Sequence, residues 1–210
     1  MKFKPHVARR CILLVAVAVL ISSGCSLLNP GPQPKTHFYM LSSLSSSGKA
    51  VQPLATFPQV AIGIGPIRLP EYLDRRNIIV RNSRNEFELA EDSQWAEPVG
   101  DTVARVLADN LSVLLGTYRI TQFPWRSSMP VDYQLTIQVA QFDGILGEHA
   151  VLRAHWQVFT RDGKKLLDSG YSVFGEQAEG KSIDALVTAQ SRAIESFSRE
   201  VAVAIVRLAK

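Results

Sequence analysis

Few residues in this 210-residue chain have the types and spacing that chemistry needs. The cysteines are Cys11 and Cys25; the histidines are His6, His37, His149 and His155. His149 and His155 share one face of a strand-like stretch. Six residues of extended chain separate them by about 20 Å, too far to hold one metal ion. The sequence has no G-x-S-x-G nucleophile elbow. Its G-I-G-P-I-R-L-P stretch has neither the third glycine nor the lysine that a phosphate-binding loop uses. Glu86, Glu88, Glu91 and Asp92 are carboxylates in series, and Glu86 and Glu88 fall on one strand face, the usual pattern of a solvated edge. The expectation is a protein that is not an enzyme, with no catalytic residue, metal site or cofactor.

One residue with a covalent chemistry remains. M-K-F-K-P-H-V-A-R-R is a basic stretch, and C-I-L-L-V-A-V-A-V-L-I-S is an apolar run of 12 residues, of signal-peptide length and short of the roughly 20 that span a bilayer. Ser22, Ser23 and Gly24 follow, then Cys25. The arrangement resembles a bacterial lipobox, with Ser22 where leucine is usual three residues before the cysteine. Residues 1–24 therefore read as a lipoprotein signal peptide and Cys25 as the lipidation site. A thiolate takes a diacylglyceryl group on sulfur. Processing of lipoproteins then frees the cysteine amine for a further acyl chain such as palmitate. Each buried CH₂ contributes about 0.8 kcal/mol, so several chains hold where one does not. Arg9-Arg10 reads as part of the basic stretch rather than a twin-arginine signal. Ser26 stands where aspartate would favour inner-membrane retention, which points to the outer membrane.

The charge balance agrees. The whole chain carries 23 basic and 19 acidic residues, but Lys2, Lys4, Arg9 and Arg10 all lie in the leader. Without those four, 19 bases face 19 acids. The processed domain is neutral, has no basic stripe interleaved with aromatics, and is not expected to bind nucleic acid. It also has no cysteine beyond Cys25, hence no disulfide.

Residues 25–35 form a tether with three prolines and one glycine among its last ten residues. Such a segment favours extended polyproline II chain and reaches about 30 Å. Residues 36–210 read as one periplasmic domain. Strand patterns fall at 36–41, 59–67, 77–81, 86–90 and 117–124, with the glycines of the second suggesting close approach of other backbone. Residues 70–75 suit one helical turn. Residues 98–116 make an amphipathic helix, with Val99, Val103, Val106, Leu107, Leu111 and Leu114 at helical spacing and Gly116 as its stop. Residues 131–144, 149–160 and 165–176 alternate as three strands of an antiparallel meander. Residues 182–209 make a long terminal helix capped by Ser182. The class is α/β, bordering on α+β, with a mixed sheet.

Two stretches have the composition of an interaction surface. L-P-E-Y-L-D-R-R sets Tyr72 and Leu73 beside Arg75 and Arg76, aromatic with arginine as in binding hot spots. Trp95 precedes the first long helix. From sequence each has two readings: Tyr72, Leu73 and Trp95 pack inward, or they join Arg75 and Arg76 as partner-binding residues.

The stretches H-F-Y-M-L, V-A-I-G-I-G-P-I-R-L-P-E-Y-L-D-R-R-N-I-I-V-R, N-E-F-E-L-A-E-D-S-Q-W-A-E-P-V-G-D-T-V-A-R-V-L-A-D-N-L, Y-Q-L-T-I-Q-V-A-Q-F-D-G and S-I-D-A-L-V-T-A-Q-S-R-A-I-E-S-F-S-R-E-V-A resemble the PqiC family of ABC-type transport auxiliary lipoproteins. The similarity runs through nearly all of 25–210, and 62–111 is its most specific part. The resemblance implies a three-layer α/β domain, lipid-anchored at the outer membrane and facing the periplasm. It also implies a partner MCE-domain protein (PqiB-like), indirect work with an integral inner-membrane subunit (PqiA-like), assembly into homo-oligomeric rings, and a role in moving lipids or hydrophobic molecules and in envelope integrity. The alternative is a periplasmic lipoprotein that carries a lipid or small molecule in its own cavity.

Overall fold

The structure is a computed structural model that describes residues 35–48, 50–126 and 129–209. The leader, Cys25, Ser26 and the rest of the tether up to Pro34 lie outside the described residues. Eight strands and two α-helices occur among those described. The strands are β1 (His37–Tyr39), β2 (Ile62–Arg68), β3 (Asn77–Arg81), β4 (Phe87–Trp95), β5 (Ile120–Gln122), β6 (Tyr133–Gly144), β7 (His149–Thr160) and β8 (Leu166–Gln177). The helices are α1 (Val99–Leu115) and α2 (Ile183–Leu208).

Five strands form the large sheet, in the order β5-β2-β6-β7-β8. Its first three strands run parallel and its last three are the antiparallel meander. β1, β4 and β3 form a second sheet in that order, with β1 parallel and β3 antiparallel to β4. The fold is thus mixed α/β with a late meander and a long C-terminal helix, and Thr36–Lys210 is one compact unit.

Each helix is built by its apolar stripe. Val103, Val106, Leu107, Leu111 and Leu114 of α1 are buried, and Gly116 ends the helix in the left-handed conformation at φ 58°. In α2 the Ser182 hydroxyl accepts a hydrogen bond from the Ala185 amide, and Leu186, Ala193, Ile194, Phe197, Val201 and Ile205 face inward. Leu186 packs in a smaller cluster with Val80, Ala150 and Ala189, and the rest of both stripes share one core with the inward residues of the large sheet: Ile62, Ile64, Leu135, Ile137, Leu152, Trp156 and Val158.

β7 shows the division most clearly. Ala150, Leu152, Ala154, Trp156 and Val158 are buried, whereas Arg153, His155 and Gln157 between them are exposed. In β6 the alternation starts the same way at Leu135, Ile137 and Val139, then changes sense. Val139 pairs with Ala154 but Gln141 with Arg153, so Ala140 is an extra residue, a β-bulge. Beyond it Phe142 joins the core and Asp143 faces with Arg153 and Val151, away from the helices.

Some expected boundaries change. The strand expected at 117–124 is only Ile120–Gln122, because the Thr117 amide still bonds the Ser112 carbonyl of α1 and Pro124 has no amide to extend a ladder. The second hairpin strand runs on to Trp95. The closest approach to the β2 glycines is by aromatic residues. A Cβ on Gly63 would lie 2.9 Å from the Trp125 ring, and one on Gly65 2.8 Å from Cβ of Phe123.

Candidate partner-binding site

The turn after β2 places the five residues singled out above, and it splits them. Glu71–Leu73 is a single 3-10 turn; Leu73 points inward and is 5% exposed. Leu73 is therefore a core residue and not a partner contact, since its side chain is spent on packing. Trp95 is likewise 7% exposed and belongs to the main core, so the exposed-anchor reading of it gives way to the packing reading. Its amide donates to the Arg76 carbonyl at 2.8 Å, which pins the turn to the end of β4.

Arg75 and Arg76 are exposed. They line a shallow pocket of about 370 Å³ together with Phe38, Gln94, Glu97 and the rim of Trp95. Phe38 is 65% exposed and pairs with Gln94 across the β1–β4 ladder. The residues brought together are therefore Arg75, Arg76 and an edge of Trp95, with Phe38 as an addition that sequence reading left unassigned. Its signal was present: Phe38 alternates with Tyr39, so one of two aromatics in a three-residue edge strand had to face out.

Tyr72 turns the other way. Its hydroxyl donates to Asp143 Oδ2 at 2.7 Å, and its ring stacks on Phe87 with centroids 4.8 Å apart. Arg81 from β3 bonds the same carboxylate through Nε at 2.8 Å and Nη2 at 3.0 Å, and its guanidinium lies 4.3 Å from the Phe87 ring centroid. Gln141 Nε2 adds a third donor at 2.8 Å. The Asp143 side chain has no exposed surface. Burial alone would raise its pKa. The hydrogen bonds from Arg81, Gln141 and Tyr72 and the Arg81 charge overcome that and hold it below the ordinary carboxylate value. Tyr72 shifts well upward, first through burial, then through its bond to Asp143 and the charge there. This cluster is a buried tie between β6, β3 and the 71–73 turn. Sequence reading missed it because its members lie 62 and 71 positions from Asp143 along the chain.

His149 and His155 stand at different points along β7, and His155 packs against Tyr171 with centroids 4.4 Å apart. Among the described residues no three His, Cys, Asp or Glu side chains converge as a metal site. No helix among them is long and apolar enough to cross a membrane. Glu86, Glu88, Glu91 and Asp92 are all exposed on or beside β4.

Comparison with known proteins places this fold. Two solved structures superpose with it. One, a Xanthomonas campestris protein, has a TM-score of 0.65 at 15% identity, covering 82% of this chain and 99% of its own. A second, a protein described only as uncharacterized, has a TM-score of 0.62 at 17% identity, covering 81% and 99%. In sequence, the intermembrane transport lipoproteins PqiC of Escherichia coli (strain K12) and Shigella flexneri are each 22% identical over 143 residues, 68% of this chain and 71% of theirs. Residues 42–202 match the family of ABC-type transport auxiliary lipoprotein components, a transport family and not an enzyme family. The match spans both sheets beyond β1 and most of α2, so this chain belongs to that family, as an auxiliary lipoprotein of transport in the cell envelope.

Proposed function

We propose that the chain is the outer-membrane-anchored lipoprotein of an MCE-type intermembrane transport system. In this reading the signal peptide of residues 1–24 is removed and acyl groups on Cys25 fix the protein to the membrane. Residues 25–35 tether the domain in the periplasm, and the domain docks the MCE-domain tunnel protein, working indirectly with an integral inner-membrane subunit. The observation that carries it is the family match over 42–202 on a chain whose Cys25 directly follows a basic and apolar leader. The docking surface is the pocket of Arg75, Arg76, Phe38 and the Trp95 rim. It joins exposed aromatic and guanidinium groups at one spot, the composition of binding hot spots. Membrane anchoring raises the local concentration of the domain, so even a weak contact persists.

Two measurements test this. Cys25→Ala should leave an unprocessed, unacylated precursor by mass spectrometry; a mutant that still fractionates with the outer membrane counts against the anchor. Arg75→Glu with Arg76→Glu should reduce co-purification of the MCE protein by tenfold or more while the circular dichroism spectrum and melting temperature stay as they are. An unchanged yield removes this pocket as the docking surface. Tyr72 is left intact in that test because its hydroxyl and ring belong to the Asp143 cluster.

A further inference from the structure

The face of the large sheet turned away from the helices is closed at two places and open between them. At the β2 edge, Trp125 and Phe123 lie over Gly63 and Gly65, packed edge to face at 5.6 Å. At the end of β6, Tyr72, Arg81 and Phe87 cover Asp143. Between them lies an open depression of about 760 Å³.

Ladder register arranges its floor in rows. Arg68 of β2 pairs with Gln138 of β6, Gln138 with His155 of β7, and His155 with Tyr171 of β8. Two residues along, Thr136 pairs with Gln157 and Gln157 with Ser169. Arg68 and His155 thus flank Gln138 two strand spacings apart, about 10 Å between backbones, a gap that the arginine side chain can span toward the imidazole. Arg68 has no ion-pair partner among the described residues, and the side chains of Gln138, Gln157 and Thr136 make no hydrogen bond there. Among the described residues no carboxylate lines the depression. Asp143, the acid on this face further along β6, is already neutralised by Arg81. The floor is therefore positive, rich in unused amide and hydroxyl groups, and edged by an aromatic ring at Tyr171, which is 52% exposed.

We infer that this platform binds the headgroup of an anionic, hydroxylated phospholipid of the phosphatidylglycerol type. The phosphate sits between Arg68 and His155 over Gln138, where guanidinium, imidazole N–H and amide N–H all donate to its oxygens. The glycerol hydroxyls bond the Thr136–Gln157–Ser169 row. The acyl chains leave past Tyr171, since the depression is shallow and polar and has no room to enclose them. The commitment to a lipid as the source of the phosphate rests on the transport reading above; the anion site itself rests on the rows.

The test uses the full processed chain in neutral detergent, titrated calorimetrically with dihexanoyl-phosphatidylglycerol, dihexanoyl-phosphatidylcholine, glycerol phosphate and inorganic phosphate. Phosphatidylglycerol should bind, and more tightly than phosphatidylcholine or either tail-less anion. Arg68→Gln should weaken it about tenfold, the loss expected for one charge-assisted hydrogen bond, and His155→Ala and Gln138→Ala by less. Melting temperatures should hold, because all three side chains lie on the open face. The Arg75→Glu, Arg76→Glu chain should bind phosphatidylglycerol as the unaltered chain does. Thus loss of MCE co-purification and loss of lipid binding are separate failures. No binding, equal affinity for phosphatidylcholine, equal affinity for free phosphate, or an unchanged constant in Arg68→Gln each overturns the proposal. So does a change of oligomeric state in Arg68→Gln, which would assign the face to contact between copies of the chain.

Discussion

The two faces of the large sheet are made by the same strands and obey opposite rules. Along β7, Leu152, Ala154, Trp156 and Val158 meet α2, while Arg153, His155 and Gln157 meet solvent. On the helix side the indole of Trp156 is tied down, its Nε1 donating to both Ser172 Oγ and Glu200 Oε1 at 3.0 Å. On the other side amides and guanidinium groups are left unused over most of four strands. One face specifies the fold, and the other is free to be specified by something else. A polar residue unpaired in the core is costly, but the same residue on an open face costs almost nothing to keep.

Three variants sharpen or break this contrast. The largest effect belongs to Phe197, 1% exposed at the centre of α2's buried stripe. Phe197→Ala should cost about 3–5 kcal/mol in urea unfolding, and a loss below about 1 kcal/mol would mean that the helix face is not the core. Next comes Arg81→Met, which leaves the Asp143 carboxylate buried without its cation and should cost about 3 kcal/mol at neutral pH. The pH dependence has a definite sign. The folded-state pKa of Asp143 is depressed, so the stability it contributes is present above the unfolded carboxylate value near 3.8 and is lost as pH falls through the lower, folded value. The gap between Arg81→Met and the unaltered chain should therefore narrow in unfolding curves taken below about pH 4. A gap independent of pH would show that the cluster acts through packing alone. The smallest effect is expected for Thr136→Ala with Gln157→Ala, within about 0.5 kcal/mol of no change. A loss of several kcal/mol would show that the open face is structural after all.

How legible these faces were in the sequence follows from the range of the interactions that make them. The stripes of α1 and α2, the Ser182 cap, the Gly116 stop and the three meander strands depend on neighbours within one or two turns, so periodicity shows them. The fate of the 70–76 turn does not. Whether Tyr72 and Leu73 face out depends on Asp143 and on the core beneath, and neither is marked locally. The same holds for Trp95, whose burial depends on β1 and the turn closing around it. The Gly63–Trp125 contact reads in sequence only as a glycine that wants room, without saying what fills it. The chemistry at Cys25 is the reverse case: its signal is entirely local, in the leader that precedes it.

The bulge at Ala140 makes chain length itself a determinant of this domain. Before it the odd-numbered positions of β6 look toward the helices, and after it the even-numbered ones do. Removing that single residue while keeping the upstream register would leave the alternation unbroken and every downstream side chain where it is relative to β7, but would remove the local bend and extra twist that a bulge gives a strand. Adding one more would exchange the addresses of Phe142 and Asp143, driving a carboxylate among the helices and stranding Arg81. Insertions and deletions among relatives should accordingly collect in the connections between strands and spare the short span from Val139 to Asp143.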